Sequence, residues 1–174
     1  MIHLNNYGWN DKLSQLKQES TYNALTHGRI SIVHRTCYEV VSENGLFQCE
    51  LTGNMMYGKS DFELPCTGDW VLFQPFDEHN GIIVDMLPRE RTLYRKKNGT
   101  VADKQAIASY VDKAFIVQSL DDNFNVRRAE RFMVQMQEEN INPVLVFNKA
   151  DLGFDKQKVC LLYTSPSPRD PKTS

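Results

Sequence analysis

The hydrophobic pattern of this chain changes period once, and that change limits its possible folds more than any other feature. Ile30 and Ile32 alternate with polar or small neighbours, as do Tyr38 and Val40, and then Phe47, Cys49 and Leu51. A period of two marks a half-buried strand. Two more apolar runs follow, Asp69-Trp70-Val71-Leu72-Phe73 and Gly81-Ile82-Ile83-Val84-Asp85-Met86-Leu87. Asn44-Gly45 lies between the second and third runs, and Asn-Gly is a hairpin signal because both residues tolerate positive φ. Five short strands within about sixty residues predict a small closed barrel, since closure leaves no strand edge unpaired. By size, an oligonucleotide-binding (OB) barrel over 29–88 fits best. No amphipathic helix is expected between its third and fourth strands. The preceding residues, 1–28, read as a polar lead-in with one short helix from about Asn10 to Gln18.

From Pro88 the chain turns basic, with Arg89, Arg91, Arg95, Lys96, Lys97 and Lys104 opposed by Glu90 and Asp103, and 89–111 reads as a linker. Beyond it the period changes. Ala114-Phe115-Ile116-Val117 is a continuous apolar run, the pattern of a strand buried on both faces. Asn125 is placed to cap a helix whose Ala129, Phe132, Met133 and Met136 recur at helical spacing. Pro143-Val144-Leu145-Val146-Phe147 supplies a second buried strand. Strand, helix and strand over 112–159 make a βαβ unit, and its parallel sheet needs further strands and covering helices. Residues 160–174 carry Pro166, Pro168 and Pro171 and no periodicity. They resemble translated sequencing-adapter sequence; the other reading is a disordered tail.

A formal net charge of -2 gives no global pull toward nucleic acid or acidic lipid, so any basic surface must be local. No apolar run approaches the roughly 18 residues that span a membrane, and a cytoplasmic location is expected. Cys37, Cys49, Cys66 and Cys160 form no C-x-x-C pair, and His3, His27, His34 and His79 do not complete a zinc spacing, so no metal site is expected in this chain.

Chemistry enters at Asn148-Lys149-Ala150-Asp151, directly after the strand 143–147. Ligands of open α/β sheets sit at the carboxyl ends of the parallel strands. A carboxylate only accepts hydrogen bonds, and the guanine edge offers two adjacent N–H donors, which adenine lacks. N-K-x-D at a strand end therefore suits guanine recognition; the other reading is an ordinary strand-ending turn. Gly53-Asn54-Met55-Met56-Tyr57-Gly58-Lys59-Ser60 also matches the phosphate-cradling pattern G-x-x-x-x-G-K-[ST]. That loop works only if a helix opens at its lysine, and here Pro65 follows almost at once. A surface loop of the barrel is expected instead.

Several segments together resemble the ribosome small subunit-dependent GTPase A family over roughly 7–152. They are Tyr7-Gly8-Trp9, Gly28-Arg29-Ile30, Pro65-Cys66-Thr67-Gly68-Asp69-Trp70-Val71, Leu87-Pro88-Arg89, Gln105-Ala106-Ile107-Ala108-Ser109-Tyr110-Val111-Asp112, Phe124-Asn125-Val126-Arg127-Arg128 and Asn148-Lys149-Ala150-Asp151-Leu152. Tyr110 stands where the family usually has asparagine. The resemblance implies an OB domain followed by a circularly permuted P-loop GTPase domain, in which the guanine motif precedes the phosphate-binding motifs, with a zinc-binding domain last. This chain then reads as an N-terminal fragment ending before the P-loop.

The implied activity is GTP hydrolysis during late maturation of the small ribosomal subunit. The implied guanine contacts are Asn148, Lys149 and Asp151. No catalytic residue is expected in the fragment, and Mg²⁺ and Zn²⁺ belong with the part beyond it. The expected partners are the small subunit and its rRNA, with the protein itself a monomer. Arg89, Arg91, Arg95, Lys96 and Lys97 are candidate RNA contacts, against a solvated linker as the plainer reading. The alternative function is a non-catalytic RNA-binding OB protein.

Overall fold

Each apolar run becomes a strand, with alternate burial plainest over Gly45–Leu51 and Lys113–Ser119. In the computed structural model, which describes residues 1–96, 104–121 and 124–152, the chain divides into two units, Met1–Val111 and Asp112–Ser174. The first unit holds β1 (Thr26–Val33), β2 (Tyr38–Ser42), β3 (Gly45–Leu51), β4 (Trp70–Pro75) and β5 (Asn80–Met86). They close into a barrel in the order β1-β2-β3-β5-β4, the OB-type arrangement. Neighbours run antiparallel except β3 and β5, which are parallel. Ile30, Val40, Phe47, Cys49, Val71, Phe73 and Ile83 fill the interior. Gly28 is obligatory by contact, because a Cβ there would lie 2.5 Å from the Val40 side chain and 2.7 Å from the Val41 carbonyl oxygen.

The β2–β3 hairpin departs in detail from the expected turn. Ser42 pairs with Gly45, so Glu43 and Asn44 are the central residues and Gly45 opens β3 at φ 131°. Neither Glu43 nor Asn44 has positive φ. The Asn-Gly pair marks the hairpin, one position off.

β4 is buried on both faces because the lead-in covers its outer side. Helix α1 (Asp11–Glu19) is capped by Asn10, whose side chain accepts from the Leu13 N–H at 3.0 Å. Its Leu13, with Leu4, packs on Val41, Trp70, Leu72 and Leu87 to form a second core cluster. Arg29 ties the lead-in to the barrel by donating to the Tyr7 and Gly68 carbonyls. Between β3 and β4 lies a one-turn helix, α2 (Gly53–Met56), where no amphipathic helix was expected. Four residues are too few to produce a helical repeat in sequence, although Met55 packs against the barrel core.

The stretch 89–111 is not a linker. β6 (Leu93–Lys96) and β7 (Lys104–Ala108) form an antiparallel hairpin belonging to the first unit, with Tyr94 and Ala106 buried. In the second unit β8 (Lys113–Ser119) and β9 (Asn142–Asn148) pair in parallel, connected through α3 (Val126–Glu138). Asn125 caps α3, accepting from the Arg128 N–H at 3.0 Å. Ala129 and Met136 are buried as expected from the repeat, whereas Phe132 is 44% exposed.

Candidate functional site

The two parallel strands end side by side, and their carboxyl ends gather the polar residues of this unit. Ser119 pairs with Asn148 at the last register position, and the Leu120 N–H donates to the Asn148 carbonyl at 3.0 Å. Asn148 closes β9, and its side-chain oxygen accepts from the Lys149 N–H at 2.8 Å. Lys149 then takes φ 57°, the left-handed region that a non-glycine residue enters only when its surroundings hold it there. That bend leads into a 3₁₀ turn over Ala150–Leu152, which carries Asp151.

Asn148, Lys149 and Asp151 are all exposed at this end. The Asp151 carboxylate has no side-chain partner among the described residues, leaving an acceptor-only group open to a ligand with paired N–H donors. The Lys149 ammonium sits 3.1 Å from Asp121 Oδ2. Asp121 is held in turn by the Ser119 hydroxyl, which donates to Oδ1 at 2.8 Å. Phe124 and Phe147 meet edge to face with ring centroids 5.8 Å apart. Ser119 and Asp121 escaped the sequence reading, which applied the strand-end rule to the second strand of the pair and not to the first.

Gly53–Ser60 does not cradle a phosphate. The short α2 ends at Met56, before Lys59, so no helix N-terminus faces the lysine. Gly58 turns the chain at φ 75°, and the Ser60 N–H and hydroxyl both donate to Glu63 at 2.9 and 2.8 Å.

The basic candidates separate once their partners are seen. Arg89 faces inward: its guanidinium meets the fully buried Asp69 at 2.6 Å and donates to the Phe62 and Leu64 carbonyls. With its side chain only 10% exposed, it is withdrawn from any RNA-contact role. Asp69 also accepts from the Cys66 N–H at 2.7 Å, so this ion pair fastens residues 62–69 onto the barrel. Burial, reinforced by the Asp69 carboxylate, pushes the Cys66 thiol up to about 12. Arg91 is half-buried and pairs with Glu90 at 3.3 Å. Arg95 is exposed on β6, where its Nε donates to the Gln105 side chain at 2.9 Å, and Lys104 lies 4.2 Å over the Tyr94 ring. Lys96 lies in β6, while Lys97 and the tail 160–174 fall outside the described residues.

Comparison with known proteins relates the chain to a family. The model of the RsgA GTPase family matches residues 86–165. The small ribosomal subunit biogenesis GTPase RsgA 1 of Bacteroides thetaiotaomicron is 70% identical over 157 residues, covering 90% of this chain and 44% of that protein. The chain belongs to the RsgA GTPase family. A second relative of the same printed function, from Oceanobacillus iheyensis, is 34% identical over 133 residues, covering 75% of this chain and 38% of its own length. The chain thus spans less than half the length of these curated relatives. Among solved structures it resembles YloQ, described as a circularly permuted GTPase, with a TM-score of 0.53 at 21% identity over 83% of this chain and 48% of that one. YjeQ from Thermotoga maritima gives 0.53 at 22% identity, over 79% and 46%. These two likenesses concern the fold: an OB-type barrel followed by the opening βαβ part of a permuted GTPase domain.

Proposed function

We propose that this chain is the leading part of a GTPase that acts in biogenesis of the small ribosomal subunit. It supplies guanine recognition through Asn148, Lys149 and Asp151. The observation that carries this reading is Asp151, an exposed carboxylate with no side-chain partner among the described residues, just beyond the end of a parallel strand pair, in a chain of the RsgA GTPase family. In this reading Asp151 accepts from the two N–H groups of the guanine edge. Asn148 braces the loop through the Lys149 N–H, and the Lys149 stem lies against the base plane.

In this reading phosphate binding, Mg²⁺ and any Zn²⁺ go with residues outside the stretch that this chain shares with its relatives. Mg²⁺ would supply charge stabilisation to phosphoryl transfer when bound. No described residue of this chain is placed to cradle a phosphate. The RNA-facing surface in this proposal is the β6–β7 hairpin, through Arg95, Lys96, Lys97 and Lys104, with Arg91 at its base and Arg89 excluded. The proposed setting is the cytoplasm, with a monomer docking on rRNA of the small subunit. Among the described residues, no helix is long and apolar enough to cross a membrane.

The test is a change of base preference. Asp151→Asn replaces two acceptors by one acceptor and one donor, which suits xanthine, whose C2 bears a carbonyl in place of the guanine amine. In this chain completed with the remaining residues of the Bacteroides relative, the variant should lose at least about 100-fold in guanine nucleotide affinity and gain affinity for xanthosine nucleotides. Unchanged guanine preference would overturn the proposal.

A further inference from the structure

Lys149 is the member of the guanine motif with the most rotamer freedom, yet it is held at both ends. Its backbone is fixed in the left-handed region at φ 57° by the hydrogen bond from its N–H to the Asn148 side chain. Its ammonium is fixed 3.1 Å from Asp121 Oδ2, and the other oxygen of that carboxylate accepts from Ser119 at 2.8 Å. Asn148 ends β9 and Asp121 lies two residues past the end of β8, and these parallel strand ends are joined by the Leu120 N–H bond to the Asn148 carbonyl at 3.0 Å. A lysine tethered this way presents its methylene stem as a surface, with the charge drawn to one side.

We infer that Asp121 is a positioning residue for guanine recognition, setting the Lys149 side chain where its stem receives the base. The inference rests on reading Asn148–Asp151 as the guanine site. The pair is open to solvent, with side-chain exposures of 22% for Asp121 and 51% for Lys149, so it adds little to folding stability. What it removes is the freedom of a four-carbon stem before the ligand arrives, and preorganisation of this kind appears in affinity.

The experiment is a double-mutant cycle on the completed protein, read by titration with a fluorescent GDP analogue and by thermal melting. Asp121→Asn should weaken binding about fivefold to tenfold, the range of one charge-assisted contact, while the melting temperature stays at the wild-type value. In a Lys149→Met background, which keeps an unbranched apolar stem without charge, Asp121→Asn should have no further effect. Binding by Asp121→Asn as tight as wild type, or tighter, would overturn the inference; so would an undiminished loss in the Lys149→Met background. The Asp151→Asn variant separates the two levels. If it switches base preference while Asp121→Asn is silent, only the role of Asp121 falls. If it does not switch, the guanine reading falls and takes this inference with it.

Discussion

Phe73 and Phe115 are both strand phenylalanines in apolar runs, yet one is fully buried and the other is 66% exposed. Phe73 points into a barrel whose strands close on themselves, with Phe47 against it at a ring distance of 5.2 Å. Phe115 lies on the face of the β8–β9 pair away from Ala114, Ile116 and Gln118, which are buried, and Val117 beside it is 60% exposed. Closure completes the first core within the described residues. A parallel pair carrying one helix covers one face and leaves the other as unmatched apolar surface. The lesson is that the barrel has the contacts to stand as a folding unit, while among the described residues the βαβ unit keeps one apolar face of β8 exposed.

The largest effect is expected at the Asp69–Arg89 pair. Asp69→Ala leaves a buried guanidinium without its counter-charge and should cost about 3–5 kcal/mol in urea unfolding of the barrel unit. Phe73→Ala should cost a similar ~3–5 kcal/mol through lost burial and a cavity. Phe115→Thr is the matched control and should change stability by less than about 0.5 kcal/mol. Equal costs at Phe73 and Phe115 would break the contrast between the units.

Two smaller effects concern protons in the barrel unit. Burial pushes the Cys49 and Cys66 thiols up to about 12 each. Both should resist a thiol reagent at pH 8 while half-buried Cys37 reacts. Because the folded state holds these protons more tightly, their stabilisation is complete below the unfolded thiol range. It should fall as pH rises from about 9 toward 12. His27 has the opposite sign: burial, then the nearby Lys17 charge, lower its pKa beneath the ordinary 6.5. The folded state prefers neutral His27, so stability should decline modestly as pH falls below that value, and His27→Gln should flatten this slope in an acid titration.

Much of the barrel was legible because half-buried strands print their register directly, as Phe47 and Cys49 do around Gln48. The unbroken run Trp70–Phe73 also made sense once the lead-in was found on its outer face, so two cores share one strand. The β6–β7 hairpin was not legible. Its strands mix Leu93, Tyr94, Ala106, Ile107 and Ala108 with basic and polar residues, and among the described residues only Tyr94 and Ala106 of these apolar ones are buried, so no alternation stood out. Arg89 was misassigned for a related reason: its charge is visible in sequence, but its buried partner lies twenty residues away. At the candidate site, N-K-x-D was visible as a contiguous motif. Asp121 was not, because its partner Lys149 is 28 positions distant and only strand pairing brings them together.

The measurement that tests the central claim most directly is GTP binding and hydrolysis by the chain alone, beside a fusion of the chain to the portion of its Bacteroides relative that it does not span. The account predicts neither tight binding nor turnover above a no-enzyme control for the chain alone, and both for the completed protein. Turnover by these 174 residues, abolished by Lys59→Ala, would contradict it, because the phosphate site would then lie in the Gly53–Ser60 loop after all.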